Sequence, residues 1–449
     1  MSDFNLYCLP EELSDKDYLI ATYYCEFPVG TDIVKKAGSI AVGQTVGTWI
    51  PVPGITDEMR ERHMGRVVNI YDVPPSELDS RDSRAGGPPD GTPPAYAGVN
   101  FRERLSAYLI EVAFPTVNFG PDFPMMFTTL FGNDASTSTQ AKLVELRMPK
   151  AFAEGFGGPN LGPAGVRRAT GVYGRPLLMS MIKPCTGLTP EAGAEIFYNA
   201  AIGGLDIVKD DELLGDASFS PVVARVNAYE KAADRVYEKT GHRPLYIVNI
   251  TGHTASLIER ARAVIDAGAK GVMASCAAVG YSAFRGLANY LKDKNVLLMG
   301  HYASTGMLFE GPLSGMGSHL AVGRFPRLAG ADLMMINTPY GGYPLRYEKY
   351  MKTVHHLTLP FYDIKPTLPV IGGGVHPGLT EQFIEELGSD IMLAAGGAVH
   401  GHPMGPAAGA AAMRQSIDAA VSGVPLDEAA ASHRELAKAL EQWGYVKKK

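Results

Sequence analysis

From residue 176 onward the sequence repeats one pattern eight times: a short apolar run, a break of glycine or polar residues, then a helix-like segment. The runs are Pro176–Lys183, Gly204–Lys209, Leu245–Ile250, Gly271–Ser275, Val296–Gly300, Ala331–Ile336, Leu368–Ile371 and Asp390–Ala394. Pro190–Ala201, Pro221–Thr240, Ser256–Ala267, Ser282–Leu291 and Thr380–Leu387 carry helical spacing between them. Eight strands alternating with helices predict an α/β architecture, a (β/α)8 TIM barrel. It is expected over residues 151–449, with further helix in the tail from Gly405 to Tyr445. Such a barrel places its active site at the C-terminal ends of its strands. Those ends carry Lys183, Lys209 to Glu212, Asn249, His301, Asn337, Thr338, His376, Gly396 and Gly397.

The chain's 449 residues are too many for one ordinary domain. Before the barrel, Tyr18–Phe27, Gly65–Val73, Ser106–Phe114 and Ala141–Met148 read as strands, and Thr31–Ile40 and Pro124–Phe131 as helices. Pro74–Gly98, dense in proline, glycine, serine and aspartate, reads as a long loop. This predicts an N-terminal α+β (ferredoxin-like) domain with an antiparallel sheet over residues 1–150. A net charge of −6 supplies no broad cationic face, which argues against a nucleic-acid partner. No apolar run reaches the roughly 18 residues a membrane span needs. Met1 to Leu13 lacks a basic region followed by an apolar stretch. The four cysteines show neither metal-ligand spacing nor a disulfide framework, so a reduced, cytoplasmic setting is expected.

The second run ends in four charges, Lys209-Asp210-Asp211-Glu212. Side chains alternate along a strand, so Lys209 and Asp211 share a face, and Glu212 can turn inward where the strand stops. Two carboxylates beside a lysine suit a hard cation such as Mg²⁺, which prefers oxygen ligands. A solvated charge run or a buried Lys–Asp pair would look the same in isolation. The position at a barrel strand's C-terminal end favours the metal. A lysine amine in such a place can also add carbon dioxide to become an anionic carbamate, which spacing alone does not show.

Gly203-Gly204-Leu205-Asp206 followed by Lys209-Asp210-Asp211-Glu212 resembles the signature of the RuBisCO large-chain family. In the family's order, the chain also carries Gly47-Thr48-Trp49, Gly132-Asn133, Ile182-Lys183-Pro184, His301, Arg327-Leu328-Ala329-Gly330, Gly373-Gly374-Val375-His376, Gly396-Gly397 and Gly401-His402-Pro403. The resemblance implies Mg²⁺ held by Asp211, Glu212 and Lys209 as N6-carboxylysine. It implies catalytic roles for Lys183, Lys209, His301 and Asn133, and a phosphate bound among Thr48, Trp49, Gly374, Gly396 and Gly397. It further implies a homodimer in which the N-terminal domain of one subunit completes the barrel site of the other.

The departures from the carbon-fixing pattern are as informative. Cys185 stands where a second lysine is expected, Tyr302 for an arginine, Met335 for a histidine and Gly372 for a serine. The segment Thr338-Pro339-Tyr340-Gly341-Gly342-Tyr343 lacks the lysine that would sit over carbon dioxide, and Gly43 or Gln44 replaces an acid before Thr48. The chain therefore resembles a RuBisCO-like protein (form IV) without ribulose-bisphosphate carboxylase activity. The glycine-built phosphate site is kept, while the second has lost its cationic and hydrogen-bonding partners. Tyr302, Met335, Tyr340 and Tyr343 either line a more neutral far pocket or simply pack. Arg175 to Ser180 and Thr338 to Gly341 look similar to the RuBisCO-like enolases of methionine salvage, but those place a proton-abstracting lysine where this chain has Asn133. Decarboxylation of a 3-oxo sugar-acid phosphate needs no such base and is the first expectation. Enolase or isomerase chemistry on methylthio-ketose phosphates is the second, with Lys209 as carbamate or His301 as base. A non-catalytic sugar-phosphate-binding role is the third.

Overall fold

The computed structural model describes residues 6–13, 17–48, 50, 52–73 and 105–445. Trp49 and the segment Pro74–Gly98 lie outside the described residues. The chain forms two compact units, residues 1–157 with 305–321, and residues 158–304 with 322–449.

The first unit is built on four antiparallel strands, β1 (Tyr18–Pro28), β2 (Arg66–Val73), β3 (Leu105–Pro115) and β4 (Lys142–Arg147), in the order β2-β3-β1-β4. The central strand β1 pairs with β3 along its whole length, from Tyr18 opposite Pro115 to Pro28 opposite Leu105. Helices Ile33–Gly43 and Phe123–Phe131 follow β1 and β3 in the chain, which is the ferredoxin-like βαββαβ order. Aspartates cap both: the Asp32 and Asp122 carboxylates accept the Lys35 and Met125 amides. Tyr23 on β1 is fully buried, and its hydroxyl donates to the Leu130 carbonyl at 2.8 Å. The 305–321 segment joins this unit through Leu143, whose N–H donates to Gly315 and whose carbonyl accepts from Gly317.

In the second unit all eight apolar runs form strands of one closed parallel barrel. These are β5 (Leu177–Met181), β6 (Ile207–Lys209), β7 (Leu245–Asn249), β8 (Gly271–Ser275), β9 (Leu297–His301), β10 (Leu333–Asn337), β11 (Leu368–Gly372) and β12 (Met392–Ala394). The ring closes where β12 pairs with β5, Leu393 opposite Leu178. Met179, Ile207, Ile247, Met273, Met299, Leu333, Val370 and Met392 pack together, all buried, so the barrel is filled and chemistry is confined to its ends.

Two buried aspartates organise the N-terminal end. Asp206, just before β6, takes two bonds from Arg175 (2.8 and 2.9 Å), one from Arg414 (2.9 Å) and one from the Leu178 amide (2.8 Å). Asp332, just before β10, accepts the amides of Leu161, Gly162 and Leu298. No helix among the described residues is long and apolar enough to cross a membrane.

Candidate active site

Strand β6 delivers the four-charge run to the C-terminal end of the barrel, and its side chains part in two directions. Asp210 turns into the packing behind the strand. There its carboxylate accepts from Arg225 Nη2 at 3.0 Å, the Tyr246 hydroxyl at 2.7 Å and the Asn249 amide at 2.9 Å. Burial alone would lower the Arg225 pKa, but Asp210 outweighs it, so the guanidinium stays protonated. Asn249 also donates to the carbonyls of Asp211 and Glu212 at 3.3 and 3.1 Å, which pins the turn that follows the strand.

The other three residues gather at the barrel mouth. Lys209 is fully buried, its Nζ 2.8 Å from the Asp210 carbonyl and only 3.5 Å from Glu212 Oε2. Burial outweighs the nearby carboxylates and lowers its pKa, which favours the neutral, nucleophilic amine. Asp211 receives Lys183 Nζ at 2.7 Å, and Glu212 Oε2 lies 3.3 Å from His301 Nε2. Burial pulls the Lys183 pKa down, but hydrogen bonds to Asp211 and Cys185 more than reverse it, so this side chain is a fixed cation. Cys185 Sγ is 3.0 Å from Lys183 Nζ.

His301, at the end of β9, is 3% exposed, and its pKa is held well below the ordinary value by burial and then by Lys209. Its Nδ1 accepts the Ala303 amide at 3.0 Å, so a neutral ring carries its proton on Nε2, facing Glu212. Tyr302 stacks on it, ring centroids 4.9 Å apart, and burial pushes the phenol pKa up to about 12.

These groups open on a cavity of about 350 Å³. Lys183, Asp211, Glu212 and His301 form one part of its wall; Gly374, Gly396 and Gly397 form another. A Cβ at Gly396 would lie 2.3 Å from Met181 Sδ, so a larger residue there would have to displace that thioether. At Gly397 an added Cβ would meet nothing within 4 Å, so the backbone there faces open space. Gly374 has φ +104°, a conformation that favours glycine, and sits against Gly341. A third part is Tyr302, Met335, Tyr343 and Gly372.

A family model for the ribulose bisphosphate carboxylase large chain, catalytic domain, matches residues 164–443. The chain belongs to the RuBisCO large-chain family, among its RuBisCO-like members. It is 39% identical to the ribulose bisphosphate carboxylase-like protein of Archaeoglobus fulgidus over 92% of this chain and 90% of that one. It is 36% identical to the 2,3-diketo-5-methylthiopentyl-1-phosphate enolase of Geobacillus thermodenitrificans over 95% and 98%. The solved structure of a rubisco-like protein (MtnW) from Alicyclobacillus acidocaldarius superposes with a TM-score of 0.83. The two share 34% identity, covering 95% of this chain and 100% of that one.

Within this RuBisCO-like barrel, Lys183, Asp211, Glu212, His301, Gly374, Gly396 and Gly397 line one cavity, while Lys209 is fully buried beside it, 3.5 Å from Glu212. Thr48, half-buried, and Asn133, exposed, belong to the first unit. Of the four aromatic and methionine residues expected in a far pocket, Tyr302, Met335 and Tyr343 line this cavity. Tyr340 does not: its hydroxyl bonds Glu386 and its ring packs on Phe383. Sequence reading also passed over Arg225 and Tyr246, which hold Asp210. Their signal was present, because Arg225 sits on the apolar face of its helix beside Val222, Val226 and Tyr229.

Proposed function

We propose that this protein is a Mg²⁺-dependent enzyme that generates an enolate on a keto substrate carrying a single phosphate, first of all by decarboxylating a 3-oxo sugar-acid phosphate. The observation that carries the reading is the convergence of Asp211 and Glu212 on the cavity beside Lys183, a permanent cation, with Lys209 buried behind Glu212 and the glycine cradle in the same wall.

The residues fit the implied metal. Asp211 and Glu212 offer hard oxygen donors, and the buried, neutral-leaning Lys209 amine is suited to carbamate formation, which would add a third. A divalent cation bound there would supply Lewis-acid stabilisation for negative charge on an enolate oxygen. Lys183 adds a fixed ammonium beside the same position, able to hydrogen-bond the developing oxyanion. His301 serves as a neutral donor that orients Glu212. It is a poor proton acceptor as placed, because its second nitrogen is already bound to the Ala303 amide. The Gly374, Gly396 and Gly397 backbone would receive the phosphate. Among the described residues Lys183 is the one lysine or arginine lining the cavity, and Tyr302, Met335 and Gly372 offer no counter-charge to a second phosphate.

Loss of carbon dioxide, in which the departing carboxylate leaves the electron pair behind, needs no proton acceptor and so makes no demand on His301, a poor one as placed. The second reading is the enolase reaction, favoured by the names of relatives 36% identical over nearly the whole chain. By the resemblance the working form is a homodimer, with the partner supplying Thr48, Trp49 and Asn133. Purified protein with Mg²⁺ and bicarbonate should release carbon dioxide from 3-oxo-pentonate phosphates, followed by product chromatography. Turnover of 2,3-diketo-5-methylthiopentyl-1-phosphate alone would replace the first reading with the second, and turnover of neither class by metal-loaded protein would reject both.

A further inference from the structure

The wall of the cavity continues past Gly374 into two side chains with no part in the scheme above, His376 and Trp443. No described residue hydrogen-bonds either nitrogen of the His376 ring, and its Nδ1 is shielded from solvent without a partner. Burial holds the ring's pKa below the ordinary value, so it is a neutral imidazole with an uncommitted N–H. A buried polar group in this state is normally satisfied by something, and here the open side is the cavity.

Trp443 is the last residue of the helix Arg434–Trp443, and that helix is fastened at both ends. At its start the Glu435 carbonyl lies 3.0 Å from His402 Nε2, the Glu435 carboxylate accepts from Gln415, and the Leu436 amide donates back to Gln415. Leu436 and Leu440 are buried in a cluster with Ala419, Leu426 and Ala429. At its end the backbone presses on the turn Pro377–Leu379 that follows His376: a Cβ on Gly378 would fall 1.9 Å from the Gly444 carbonyl oxygen. This contact packs the turn after His376 against the residue after Trp443, whose ring centroid lies 6.1 Å from that of His402.

We propose that His376 and Trp443 are substrate-binding residues. The neutral His376 imidazole donates to an oxyanion of the substrate's phosphate, and the Trp443 indole closes that subsite, making the last helix part of the binding machinery. The inference rests on the single-phosphate reading and deepens it. Titration calorimetry of inorganic phosphate into the full-length, Mg²⁺-loaded protein tests it. Loss of one neutral hydrogen bond predicts that His376→Phe binds phosphate roughly tenfold more weakly, while His376→Gln, which keeps an N–H donor, stays within about threefold. Trp443→Ala weakens binding by a similar factor, and Trp443→Phe, which keeps the wall, restores most of it. Phosphate affinity unchanged in His376→Phe and Trp443→Ala, but abolished by Gly397→Asp, would overturn the inference and leave the glycine cradle standing. No phosphate binding by the wild-type protein would overturn both. Binding lost equally in His376→Gln and His376→Phe would assign His376 a merely structural role and reject it as a donor.

Discussion

Strand β6 is flanked by a buried ionisable group at each end, and the two ends are finished differently. At the bottom, Asp206 is saturated by two arginines and a backbone amide. At the mouth, Lys209 has one carbonyl at 2.8 Å and a carboxylate at the edge of hydrogen-bonding range. Burying a charge is costly unless partners compensate it. The bottom end has been built to remove that cost. The top end escapes it by favouring the neutral amine, whose nucleophilic nitrogen is left for something the chain itself does not provide. Asp210 shows the boundary within a single run of residues: three donors satisfy it, and it points away from the cavity.

The largest effects should separate the two ends. Lys209→Met removes the buried amine and the metal ligand it would become. Turnover should fall by about three orders of magnitude or more, while stability holds or rises because an uncompensated buried polar group is gone. Calorimetric Mg²⁺ titration and denaturant unfolding check both halves; turnover within tenfold of wild type would remove Lys209 from the mechanism. Asp206→Asn should do the reverse. It strands Arg175 and Arg414 around a neutral side chain, costing about 3 kcal/mol of stability, and leaves kcat nearly unchanged in the folded enzyme. A loss of kcat without a shift in the urea midpoint would break the contrast.

A smaller effect comes from His301. An unfolded histidine takes up a proton near pH 6.5. In the fold, burial and then Lys209 hold the His301 pKa well below that value. The unfolded state therefore binds more protons below about pH 6.5. The stability this neutral ring contributes is present above that pH and lost as pH falls, at up to ~1.4 kcal/mol per pH unit. Urea midpoints of metal-free protein from pH 7.5 to 5 should decline, and His301→Asn should flatten part of the slope. An identical slope in the variant would place the loss elsewhere.

How far the sequence reveals this molecule depends on the range of the forces involved. The eight barrel strands are legible because each is a short apolar run whose character is fixed locally. The strand ends differ by up to three residues, as with Gly204–Lys209 against Ile207–Lys209, because hydrogen-bond pairing and not polarity decides where a strand stops. The placement of Lys183, Lys209, Asp211, Glu212 and His301 at one end of the barrel was legible because barrel topology assigns strand ends to one place. Arg225 was not, since a helix in sequence does not announce which strand its buried cation will meet. The attachment of 305–321 to the first unit was hidden for the same reason: it rests on backbone bonds from Leu143 to Gly315 and Gly317, which no side-chain pattern encodes. Tyr340 was misplaced because proximity in sequence to the β10 loop says nothing of Glu386 and Phe383, which hold it outside the cavity.

The smallest effect concerns how the neutral wall was made. Gly372, opposite Asn337 in the β10–β11 register, sits beside the Met335 side chain, and a Cβ at Gly372 would approach Met335 Sδ to 2.5 Å. The glycine and the methionine are therefore one substitution in physical terms: the thioether fills the volume that a larger residue on β11 would need. Gly372→Ala should displace the flexible end of Met335 rather than the backbone, costing about 1 kcal/mol, the low end for overpacking. The displaced thioether has the cavity as its free direction. KM should accordingly rise roughly twofold to threefold, with kcat unchanged, if the substrate's far end reaches that wall. In the Met335→Ala background the same change should cost nothing, a coupling of about 1 kcal/mol in a double-mutant cycle read by urea unfolding. Additive effects would mean that the two residues respond independently, and that the neutrality of this wall arose at each position separately.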